Sequence, residues 1–75
     1  MMNIRKTVRR FSTAQRVALF IRSRGTCVLC GTKLGPGWHA DHRQPYSKGG
    51  ATDTLNGQSL CPTCNRKKGA KENHD

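Results

Sequence analysis

At 75 residues the chain has room for one domain, and a domain of this size buries only roughly 60% of the surface its unfolded form exposes. With 33% hydrophobic residues, two Phe, one Trp and one Tyr, a self-sufficient apolar core is excluded, and a staple of disulfides or metal is expected. Fourteen Lys and Arg against four Asp and Glu give a formal charge of +10, a field that attracts polyanions, of which nucleic acid is the commonest.

Residues 1–11 are basic and lack periodicity, so they read as an arm suited to lie along a nucleic-acid backbone. Arg9-Arg10-Phe11 has the look of a twin-arginine export signal, but the apolar stretch after it, Val17 to Ile21, ends at Arg22. That is shorter than the ~7–15 residues of a secretory core, and no run approaches the roughly 18 residues of a membrane span. A cytoplasmic, membrane-free protein with reduced thiols is expected.

Ser12 and Gln15 fit a capping box. Ala14, Val17, Ala18 and Ile21 then recur at helical spacing, and Gly25 stands where a left-handed C-terminal cap belongs. The pattern predicts a helix over about 13–24, its apolar face on a core and its arginines outward. Cys27 to Gly31 reads as a tight knuckle, Leu34-Gly35-Pro36-Gly37 as a turn, and Trp38 to Arg43 as a short strand. Residues 45–56 are Gly- and polar-rich loop, 55–60 a second short strand, and Cys61-Pro62 opens a last helix running to about Lys71. One domain over 12–72 follows, with 73–75 a frayed tail.

All four cysteines fall in two Cys-x-x-Cys pairs, Cys27/Cys30 and Cys61/Cys64. Two intervening residues let one turn offer both sulfurs to a tetrahedral ion, and four soft thiolates favour zinc. A redox motif needs one pair, so structural zinc is the better reading, able to supply on the order of 10 kcal/mol of folding free energy. The gap between the pairs exceeds the roughly 15–20 residues of a plain zinc ribbon, so the chemistry is sought in the insert.

In order, the chain carries Cys27-x-x-Cys30, then Asp41-His42-x-x-Pro45-x-Ser47-x-Gly49-Gly50, then Asn56, then Leu60-Cys61-x-x-Cys64-Asn65-x-x-Lys68. This resembles the HNH endonuclease family over roughly residues 25–69. The resemblance implies a small α+β domain of the ββα-metal (His-Me finger) fold, here stapled by the four-cysteine zinc and preceded by an additional helix. It implies that Asp41 and Asn65 ligate one catalytic divalent ion, that His42 activates water, and that Asn56 orients the His42 ring. The family's name ends in His where this chain has Asn65, and an Asp–Asn oxygen pair suits Mg²⁺ or Mn²⁺ better than zinc.

Elementary chemistry fits those roles. Imidazole, with an ordinary pKa near ~6.5, can accept a proton from water near neutrality, and the helix start after Cys61 would add positive potential at the phosphate. Successive strand residues point to opposite faces, so Asp41 and His42 serve one phosphate only if the strand ends or bends there. His39 shares parity with Asp41 and could reach metal or phosphate, while His74 belongs to the tail. Arg43, Lys48, Arg66, Lys67 and Lys68 are the expected phosphate contacts with double-stranded DNA. One site per chain implies nicking by a monomer, leaving 5′-phosphate and 3′-hydroxyl ends, with no small-molecule cofactor. The competing reading is a zinc-stapled nucleic-acid-binding module without cleavage.

Overall fold

Ser12 begins the first helix as expected: its hydroxyl accepts from the Gln15 amide at 3.1 Å while the Gln15 side chain accepts from the Ser12 amide at 2.8 Å. This closed capping box satisfies two otherwise orphaned donors and sets the start of α1, Thr13–Arg22. The helix unwinds after Arg22, and Arg24 and Gly25 both take positive φ, with the Gly25 amide closing on the Phe20 carbonyl at 2.9 Å. The computed structural model describes residues 9–69. Residues 1–8 of the basic arm, the helix beyond Gly69 and the tail with His74 lie outside the described residues.

Two strands follow, β1 (His39–His42) and β2 (Gly57–Leu60), and then α2 (Pro62–Lys68). The strands pair antiparallel in the register His39–Leu60, Ala40–Ser59, Asp41–Gln58 and His42–Gly57. Between them two short 3-10 turns, Tyr46–Lys48 and Thr54–Asn56, give the loop more local order than its composition suggested. Together β1, β2 and α2 form the ββα unit of the small α+β class, with α1 as the additional helix. No helix among the described residues is long and apolar enough to cross a membrane.

β2 is buried along its whole length, and its alternation divides the domain into two halves. Ser59 turns toward α1, its hydroxyl donating to the Leu19 carbonyl at 3.1 Å. Gly57 faces the same way: a Cβ there would crowd the Leu19 methyls and the Phe11 ring, so only glycine lets α1 sit this close. Gln58 and Leu60 turn the other way, Leu60 into a core with Cys27 and Cys61 against Leu34 and Cys64. The apolar interior is thus a handful of side chains beside four sulfurs, as the composition required.

The face of α1 differs from expectation. Val17 and Ile21 are exposed, as are Ala14 and Ala18, and Leu19 is the helix's one buried residue. Hydrogen bonds determine this orientation. Gln15 donates to the Thr52 carbonyl, Arg22 donates to the carbonyls of Thr54 and Gly57, and Leu19 fills the space over Gly57. A fit built on one leucine concentrates the packing energy there. Leu19→Ala is expected to cost about 3 kcal/mol, measured by urea unfolding of the zinc-loaded protein.

Candidate functional site

The knuckle before β1 and the start of α2 bring all four thiols together: the Sγ atoms of Cys27, Cys30, Cys61 and Cys64 lie within 4.8 Å of one another. Tetrahedral Zn–S bonds of about 2.3 Å require sulfurs about 3.8 Å apart, and Cys30 and Cys61 stand at 3.8 Å. The four cysteines are therefore positioned to form a zinc site. The surrounding backbone suits thiolates. Burial pushes the Cys27 thiol up, but backbone N–H donors of Cys61, Cys30 and Leu29 outweigh it and take it down to about 6. The Thr32 amide and hydroxyl lower Cys30. Burial and the neighbouring thiols push Cys64 up to about 12, so an ion entering the cluster must displace at least that proton.

α2 points its N-terminus at these sulfurs: Cys61 caps the helix, its Sγ accepting from the Cys64 amide at 3.4 Å, with Pro62 at the first helical position. This corrects the expectation that the helix start lies by a phosphate. The opposite end of α2, through Lys68 and Gly69, lines a cavity of about 130 Å³ shared with Arg9, Asp41, His42, Pro45, Tyr46 and Ser47. Asp41 and His42 reach the same cavity because β1 stops at His42 and the chain turns away through Arg43 and Gln44. The opposed faces of a regular strand no longer separate them.

Each of the two has one partner the sequence did not single out, Gln58 for Asp41 and Thr52 for His42. Oδ2 of Asp41 accepts from Gln58 Nε2 at 2.9 Å and pairs with Lys68 Nζ at 3.1 Å. Both partners take the same oxygen, so Oδ1 has no partner among the described residues. Gln58 stands directly across from Asp41 in the strand register, a signal visible once the hairpin is aligned. His42 Nε2 lies 2.8 Å from the Thr52 hydroxyl, and its ring packs 4.6 Å from Phe11 and 5.7 Å from Tyr46. Burial lowers its pKa below 6.5; Asp41 opposes this, while Arg9 and Lys68 reinforce it.

Asn56 does not hold the His42 ring, contrary to expectation. Its amide donates to the carbonyls of Gln44 and Ala51 and accepts from the Gln44 amide, lacing the loop that delivers Thr52 to His42. Gly50 is required in that loop, since a Cβ there would overlap the Gln44 carbonyl. Asn65 is half-buried on α2, one turn before Lys68 and on the same helical face, outside the lining of the 130 Å³ cavity. Arg43, Lys48, Arg66 and Lys67 are exposed, as is His39, which lies outside that cavity.

Lys68 is the clearest displacement from its expected place. Only 5% of its side chain is exposed, and its ammonium bonds Asp41 and the His42 carbonyl, the latter at 3.0 Å. It points into the site and clamps α2 onto β1, where a solvent-facing phosphate contact was expected. Removing one partner of a buried pair strands the other. Lys68→Met should therefore destabilise the zinc-loaded protein by about 3 kcal/mol in chemical denaturation.

A family model described as HNH endonuclease matches residues 27–71, well over half of the chain, from the first knuckle cysteine to just beyond α2. No curated protein matches the chain.

Proposed function

The chain belongs to the HNH endonuclease family, and from that premise we propose that it hydrolyses phosphodiesters of double-stranded DNA, nicking one strand per visit. The observation that carries the reading is the pairing of Asp41 and His42 in one cavity, each held by its own polar partner.

Asp41 and Asn65 would hold one divalent ion, and Mg²⁺ or Mn²⁺ suits their hard oxygens. Such an ion would supply charge neutralisation for the phosphate and the departing 3′ oxygen. The unengaged Oδ1 of Asp41 fits that role. The remaining chemistry belongs to the chain's own groups. In the tautomer whose Nε2–H donates to the Thr52 hydroxyl, the His42 Nδ1 lone pair takes a proton from water. The water oxygen bonds to phosphorus and the P–O3′ bond breaks. The 3′ oxygen is protonated by solvent, giving a 3′-hydroxyl and a 5′-phosphate.

Thr52 holds the ring through Nε2, and Asn56 acts through the loop rather than on the ring. Gln58 and Lys68 fix the Asp41 carboxylate. The Lys68 and Arg9 cations favour a neutral base and an anionic substrate alike. Arg43, Lys48, Arg66 and Lys67 grip the duplex through phosphates, which gives binding without base readout. The cysteine-bound zinc has a structural part only, since four thiolates close its shell.

A supercoiled-plasmid assay with Mg²⁺, Mn²⁺ or no added metal tests this. Nicked circles should appear only with metal, and His42→Ala should slow their appearance by about 10²–10⁴-fold. Binding without nicking in every metal would instead indicate a zinc-stapled DNA-binding module.

A further inference from the structure

His42 lines a second, larger cavity of about 540 Å³ on the opposite side of β1, together with Arg9, Arg10, Phe11, Arg16 and Ala40. Three arginines line it, and no carboxylate is among its described lining residues. Like charges held together without a counter-charge are costly unless an anion joins them.

Each part of this arrangement is braced. Phe11 is buried, packed on His42 and against the space over Gly57, which fixes where the two preceding arginines emerge. Arg9 stacks over the Tyr46 ring at 5.1 Å, and Arg16 lies 4.3 Å over Trp38 with its Nη2 at 3.5 Å from the Trp38 carbonyl. Cation–π stacking holds a guanidinium's plane while leaving its edge N–H donors available to oxygen ligands. Arg9 lines both cavities, so the two meet around Arg9 and His42.

We infer that this cavity is a second phosphate subsite, in which Arg9, Arg10 and Arg16 take the backbone phosphate next to the one at Asp41 and His42. A cavity of this size accommodates a nucleotide unit, and planar guanidinium forks match phosphate oxygens. The inference rests on the nuclease reading for the direction of the strand past His42, but the anion site stands on its own geometry. It also gives the end of the basic arm a defined place, with the substrate strand running over the end of β1 between the arm and α2.

The test is fluorescence anisotropy of a labelled 20-base-pair duplex with the zinc-loaded full chain, without added Mg²⁺ or Mn²⁺, across a KCl series. Each phosphate contact contributes about 0.9 to the slope of log affinity against log salt. Arg9→Gln with Arg10→Gln should flatten that slope by about 1–2 and weaken binding roughly tenfold. The charge-keeping pair Arg9→Lys with Arg10→Lys should retain most of the slope. Arg24→Gln with Lys33→Gln, which removes equal charge from residues lining neither cavity, should change it by less than half as much. Equal changes from the two glutamine pairs, or no change from the first, would overturn the subsite. A wild-type protein that nicks no plasmid in either metal would defeat the nuclease reading while leaving these slopes unaffected, so the two failures are separable.

Discussion

The four-sulfur cluster is the constraint on which the other features of this domain rest. Cys27 and Cys30 precede β1, while Cys61 and Cys64 follow β2 directly, so one ion bound by all four would tie both ends of the hairpin to the first turn of α2. The apolar core beside it is Leu60 with Leu34 and the cysteines themselves, and on the other side of the sheet Leu19 and Phe11. So little buried hydrocarbon cannot order 61 described residues against their conformational entropy. A metal site worth on the order of 10 kcal/mol alters that balance decisively.

From the cluster the geometry propagates in one direction. Fixing the first turn of α2 fixes its last turn, where Lys68 reaches back to Asp41 and to the His42 carbonyl. The hairpin register then sets Gln58 across from Asp41. At the same end of the sheet, Asn56 gathers Gln44 and Ala51, and Thr52, which follows Ala51, is presented to His42. The Asp41-His42 end of the sheet is thus held by polar bonds together with Phe11 and Leu19 packed over Gly57, and the opposite end by Leu60 and the four cysteines. Around Asp41 and His42, hydrogen bonds and one buried ion pair do most of the positioning, while Phe11 packs on the His42 ring.

Local signals in the sequence were read correctly where they depend on near neighbours. The Ser12–Gln15 capping box, the turn at Gly25, the paired cysteines and Pro62 at a helix start all act within a few residues, and the structure has each. The Asp41-His42 pair, adjacent in the sequence, lines one cavity in the structure. What escaped were contacts set by tertiary register. Thr52 meets His42 across a loop of irregular turns, and nothing in its neighbourhood marks it. The stripe of Ala14, Val17, Ala18 and Ile21 pointed to the wrong face of α1, because Gln15 and Arg22 reach loop carbonyls that no periodicity encodes. Lys68 looked like one more surface charge in a basic run; only its place at the end of a short helix facing β1 turned it inward.

An ion bound by the four cysteines would organise the hairpin and α2 together, and through them the Asp41-His42 cavity. Amide hydrogen exchange, followed residue by residue before and after zinc is removed by a chelator, tests it most directly. Protection across β1, β2 and α2 should be lost as one unit and return with a single equivalent of zinc. Protection at Ala40 to His42 and along α2 that persists in the metal-free chain would contradict it.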